Sequence, residues 1–95
     1  MAQAKLPPSS ALEAPLVKAL RDRGASMTNR ALDEVVAQEL NLDSAVLEVL
    51  HAPGRGNRTE FAYRMAWART RLKGRGVIER AGQSEWRLAV GGTKK

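Results

Sequence analysis

Asn57-Arg58-Thr59-Glu60-Phe61-Ala62-Tyr63-Arg64-Met65-Ala66-Trp67-Ala68-Arg69-Thr70-Arg71-Leu72-Lys73-Gly74-Arg75-Gly76 is the stretch whose reading decides the fold. Phe61, Met65, Ala68 and Leu72 recur at steps of four, three and four, which is one face of a helix and the face expected to meet a core. Asn57 can cap that helix, with Glu60 three residues on reaching back. Arg64 and Trp67 lie beside the apolar stripe. Trp67 is expected as a core anchor, and Arg64 as a structural residue paired with Glu60 and holding a carboxylate of the second helix or a backbone carbonyl. The remaining arc carries Arg58, Thr59, Ala62, Tyr63, Ala66, Arg69, Thr70 and Lys73, cations and hydroxyls separated by small residues. Such a face can come close to a groove.

Glycine ends this helix, and two strand-like runs follow. Val77-Ile78-Glu79-Arg80 and Glu85-Trp86-Arg87-Leu88-Ala89 flank Ala81-Gly82-Gln83-Ser84, which reads as a hairpin turn with the glycine taking the awkward dihedral. Trp86 and Leu88 are expected to face the helices, and Arg87 and Glu85 to face away. Upstream, Leu12, Leu16, Val17 and Leu20 have helical spacing up to Gly24, with the start placed near Ala14 or Pro15. Ala25-Ser26-Met27 is long enough only for a bridging strand. Thr28 is a good N-cap for a helix over residues 29–40 with Leu32, Val35, Val36 and Leu40 buried. Asp43 can cap a short element over residues 44–50. The order helix, strand, helix, short helix, helix, strand, strand predicts a mainly α fold with a small β-hairpin, a winged helix-turn-helix. The domain is expected over residues 10–90, with a disordered lead over 1–9 and a basic disordered tail over 91–95.

Charge is uneven along the chain. Residues 1–50 hold five Lys/Arg against seven Asp/Glu, while residues 51–95 hold eleven against three. Clustered positive charge points to a polyanionic partner. With no cysteine there is no disulfide or thiolate metal site. His51 is the sole histidine and has no partners at ligand spacing, so it is expected to be a satisfied or solvated side chain. No nucleophile or paired carboxylates stand out, so neither an enzyme nor a cofactor is expected. Gly54-Arg55-Gly56 lacks the spacing of a nucleotide-binding loop. No signal peptide or membrane-length apolar run is visible, which makes the cytoplasm, at the nucleoid, the expected location.

Phe61, Arg64, Met65, Trp67-Ala68-Arg69-Thr70, Leu72, Gly76-Val77-Ile78 and Trp86-Arg87-Leu88 together resemble the N-terminal domain of Mrr-type restriction proteins. The likeness extends from Pro15-Leu16 to about residue 89. It implies a bacterial winged-helix module that binds DNA. Full Mrr proteins continue into a nuclease domain with a carboxylate and lysine constellation. These 95 residues hold no such domain, so the resemblance carries the expectation of binding and not of cleavage.

The expected partner is double-stranded DNA, with a homodimer or a separate nuclease or regulatory subunit as further partners, in restriction, modified-DNA recognition or transcription regulation. Helix 57–74 would enter the major groove and hairpin 77–89 would act as the wing. Arg58, Arg69 and Lys73 are the expected phosphate and base-edge contacts, with Thr59, Ala62, Tyr63 and Thr70 on the same arc. Arg55 and Asn57 would hold a phosphate at the helix start. Arg80, Gln83 and Arg87 would mark the wing. The alternatives are a protein-interaction winged helix and, third, an RNA-binding module, for which the aromatic sheet surface is missing.

Overall fold

The computed structural model describes residues 5–52, 54, 56 and 58–89. Its elements run α1 (Ser9–Arg23), β1 (Met27–Thr28), α2 (Asn29–Glu39), α3 (Ser44–Leu47), α4 (Glu60–Gly74), β2 (Ile78–Gly82) and β3 (Glu85–Leu88). The strands pair antiparallel in the order β1-β3-β2. The result is the expected mainly helical, winged-helix fold. None of the described helices is long and apolar enough to cross a membrane.

The α4 stripe behaves as its spacing predicts. Phe61, Met65, Ala68 and Leu72 are all buried, against Leu12, Leu16 and Leu20 of α1 and Leu32 and Val36 of α2. Met27, Ile78 and Trp86 close the core from the sheet. Removing this apolar area from water is the main favourable term in holding the three long helices together.

Helix ends follow local chemistry. Thr28 Oγ1 accepts from the Ala31 amide at 3.1 Å, and Asp43 Oδ1 from the Ala45 amide at 3.0 Å, as expected. Gly24 takes φ +67 at the end of α1. Past α4, Gly76 takes φ +77, which lets the Val77 amide reach the Leu72 carbonyl at 2.9 Å and turns the chain into β2. The N-cap of α4 is Thr59, whose Oγ1 accepts from the Ala62 amide at 3.1 Å. The expected cap, Asn57, lies outside the described residues. Glu60 instead takes His51 and Arg64 as partners.

Several elements depart from the sequence expectation. Helix α1 begins at Ser9, not near Ala14 or Pro15, and carries Pro15 inside it. Pro15 has no amide to give the Ala11 carbonyl, but Ala11 is exposed, so water can satisfy that group. Tertiary contacts hold the early turns. Leu12 is fully buried, Arg71 donates to Ser9 Oγ at 2.7 Å, and Glu13 pairs with both Arg71 and Arg75. Ahead of the helix, Leu6 packs on the core, and Arg64 Nη1 donates to the Leu6 and Pro7 carbonyls at 3.2 and 3.0 Å. Arg64 therefore has the structural role its pairing with Glu60 suggests. Of the lead expected over 1–9, residues 1–4 lie outside the described residues, as does the tail over 91–95.

Helix α2 stops at Glu39, and Val35 is 37 % exposed instead of buried. Helix α3 ends at Leu47, not Leu50. Leu50 pairs with Thr59 as an isolated bridge, and the Glu60 amide donates to the Val49 carbonyl at 2.8 Å. These bonds close the base of the loop between α3 and α4. In the hairpin the left-handed dihedral falls on Ser84 (φ +61), not Gly82, and the register shifts between Arg80 and Gly82.

The two tryptophans have opposite fates. Trp86 is a core anchor at 5 % exposure, and its Nε1 donates to Asn29 Oδ1 at 2.6 Å. Trp67 is 48 % exposed and is not part of the core, which corrects the expectation. Its neighbours three and four residues away are Tyr63 and Thr70, both on the outer side of α4. We therefore expect Trp86→Ala to destabilise the fold by about 3–5 kcal/mol, and Trp67→Ala to change stability by no more than about 0.5 kcal/mol. Urea denaturation of the two variants checks this contrast.

Candidate nucleic-acid interface

The positive charge of α4 is divided between two faces. On the inner side, Arg64 and Arg71 are tied to Glu60 and Glu13, and Arg75 past the helix end is tied to Glu13 as well. Glu13 is held below the usual carboxylate range by its hydrogen bonds from Arg71, then Arg75. Glu60 is lowered in the same way by His51, then Arg64.

Arg69 belongs to this inner set, which corrects its placement on the exposed arc. It is 7 % exposed, and its Nη1 donates to Asp33 Oδ1 of α2 at 3.0 Å. Arg69 stands four residues after Met65 and three before Leu72, so it lies at the flank of the core where α2 passes. Burial pushes the Asp33 carboxyl up to about 6 against the opposing pull of Arg69, because lost hydration outweighs the pairing.

The outer side of α4 and the hairpin form a cleft of about 320 Å³. Ala66, Arg69, Thr70 and Lys73 supply the helix wall, Arg58 the end ahead of the helix, Arg80 and Trp86 the sheet wall, and Asn29 comes from the start of α2. Register explains the sheet wall. Arg80 faces Trp86 across the β2–β3 ladder, so both point to one side, and the Arg80 guanidinium lies 4.9 Å from the Trp86 ring centroid. Asn29 fixes the hairpin to α2 twice, through its amide to the Ser84 carbonyl at 2.9 Å and through Oδ1 to Trp86.

An adjoining notch of about 300 Å³ is lined by Arg58, Tyr63, Ala66, Trp67 and Thr70. Tyr63 is stacked on His51 with centroids 3.7 Å apart and meets Trp67 edge-on at 6.4 Å. Arg58 lies 5.6 Å from the Tyr63 centroid.

The structure thus gathers Arg58, Arg69, Thr70, Lys73 and Arg80 of the expected contacts around one cleft, Arg69 with its charge engaged by Asp33, and Tyr63 stands beside it. Thr59 and Ala62 are engaged in the helix cap. Arg87 points to the other side of the sheet and pairs with Glu79 at 2.6 Å, away from the cleft. Gln83 is exposed at the hairpin tip. Arg55 and Asn57 lie outside the described residues. Asn29 and Trp67 are cleft or notch residues that sequence reasoning did not nominate. For Trp67 the signal was its spacing from Tyr63 and Thr70; for Asn29 there was none beyond its place after a cap.

A family model described as the Mrr N-terminal domain matches residues 10–95. The chain belongs to the Mrr N-terminal domain family. That family is related to restriction systems, and the N-terminal domain is not itself catalytic. No curated protein and no solved structure matches the chain significantly.

Arg69 is expected to act on stability in a pH-dependent way. Asp33 binds its proton more tightly folded than unfolded. Its contribution is full below 3.8 and is lost as pH rises through about 6. Arg69→Met should therefore cost about 3–5 kcal/mol at pH 8, where a buried carboxylate is left unpaired, and clearly less at pH 5. Glu13 and Glu60 act oppositely, stabilising above the ordinary carboxylate range and losing that effect as pH falls below it. Urea midpoints of wild type and variant at the two pH values measure the difference. An Arg69 variant that melts normally would return this residue to the outer face.

Proposed function

We propose that this domain binds double-stranded DNA through the cleft between α4 and the hairpin. One observation carries the reading. Among the described residues, Arg58, Lys73 and Arg80 face this cleft without an ion pair, Arg58 acting on Asp33 only at longer range, while Arg64, Arg69 and Arg71 of α4 are paired with acids. Cations left uncompensated on one surface attract a polyanion, and each phosphate neutralised releases counterions.

The shape supports a duplex. A helix with a small-residue outer wall at Ala62 and Ala66 can enter a major groove, and a hairpin beside it can rest on the backbone. Thr70 and Tyr63 offer hydroxyls to phosphate or base edges, and Gln83 at the hairpin tip lies where a second backbone contact would fall. Arg69 borders the cleft with its charge engaged by Asp33 and holds α4 against α2, and Arg87 has no part in the contact. In a restriction setting the module holds the DNA on which the catalytic part of the system acts.

Engagement of three to five phosphates gives a log–log salt slope of about −3 to −4.5. Fluorescence anisotropy with a labelled duplex measures it. Arg58→Ala, Lys73→Ala and Arg80→Ala should each weaken binding and reduce the slope by about one, while Arg87→Ala leaves both near wild type. A flat salt dependence, or an Arg87 effect as large as the other three, would remove this cleft from the interface.

A further inference from the structure

The cleft cations can grip DNA, but phosphate contacts carry no sequence information. Any sequence preference has to come from side chains that reach base edges. The outer face of α4 is poor in the groups that read bases by paired hydrogen bonds. Its positions 62, 63, 66, 67, 70 and 73 are Ala, Tyr, Ala, Trp, Thr and Lys, with no Asn, Gln, Asp, Glu or Arg. Of the arginines within that span, Arg64 and Arg71 are tied to Glu60 and Glu13, and Arg69, which borders the cleft, is 7 % exposed and paired with Asp33.

What this face does offer is an apolar notch. Ala66, Thr70, Tyr63 and the half-exposed Trp67 line it together with Arg58. The notch is continuous with the cationic cleft, since Arg58, Ala66 and Thr70 border both. Tyr63 is braced from behind by the His51 ring, so the aromatic wall is already in position. Trp67 keeps 48 % of its surface exposed beside Tyr63, so a ligand that covers it removes apolar area from water.

In the major groove one base carries an apolar group at its edge, namely thymine with its 5-methyl, and alanine, threonine methyl and aromatic side chains are its usual contacts. We propose that the Ala66–Trp67–Thr70 notch is a reader of thymine 5-methyl groups and is the main source of sequence preference in this domain. The inference rests on the duplex-binding reading above. Arg58 and Lys73 would set the helix on the backbone, and the notch would favour steps that place a thymine methyl against Trp67.

The test compares two duplexes of one A·T-rich sequence, the first with thymine and the second with uracil at every thymine position. Only the methyl groups are removed, and base pairing is kept. Wild-type protein should bind the thymine duplex about three- to fourfold tighter for each methyl buried. Trp67→Ala, which leaves the core intact, should bring the ratio to about one while retaining the salt dependence. Arg80→Ala, which borders the cleft but not the notch, should weaken both duplexes and keep the ratio. Equal wild-type affinity for the two duplexes, with the salt slope present, overturns the methyl reader and leaves DNA binding standing. A ratio that survives in Trp67→Ala also overturns it, because the preference would then come from duplex shape. Absence of salt-dependent binding to either duplex overturns the underlying interface and the reader with it.

Discussion

The Arg69–Asp33 pair sets the rotation of α4 about its own axis, and the functional face follows from that rotation. A helix held only by Phe61, Met65, Ala68 and Leu72 could roll slightly and still bury its stripe, because dispersion and hydrophobic contact are non-directional. A guanidinium fixed to one carboxylate of α2 at 3.0 Å cannot roll. The opposite flank is pinned by Glu13 to Arg71 and Arg75 and by the Leu6 and Pro7 carbonyls to Arg64. Between these two lines of attachment, Ala66, Thr70 and Lys73 have one direction left, which is outward.

Asn29 does for the hairpin what Arg69 does for the helix. It receives the indole N–H of Trp86 and gives its own amide to Ser84. The first residue of α2 thereby holds β3 and the hairpin turn at once, and Arg80 stands opposite Lys73 as a consequence of ladder register. The two walls of the cleft thus share one support, the N-terminal half of α2, which carries both Asn29 and Asp33.

Much of this was legible in the order of residues. The apolar spacing in α4, the Thr28 and Asp43 caps, the bridging strand and the hairpin all appear where local chemistry puts them. What local chemistry could not supply was the start of α1, because the contacts that outweigh Pro15 come from Arg71 and Arg75, some 60 residues away in sequence. The site was harder. Judged by type, tryptophan goes inside and arginine outside, but Trp67 and Arg69 reverse this. Judged by spacing alone, Arg69 neighbours Met65 and Leu72, and Trp67 neighbours Tyr63 and Thr70, so period was the better guide. The clustering of charge in the second half overstated how much of it is free, since acidic residues of the first half, Glu13 and Asp33, neutralise arginines of the second.

The sorting of the α4 arginines into compensated and uncompensated sets gives the molecule an electrical front and back. Among the described residues, Arg58, Lys73 and Arg80 carry no ion pair and stand where the helix and the hairpin converge. A polyanion approaching from any side exerts a torque that turns the domain until that side leads. For a polyanionic partner such an asymmetry would act over about a Debye length, some 8–10 Å in physiological salt.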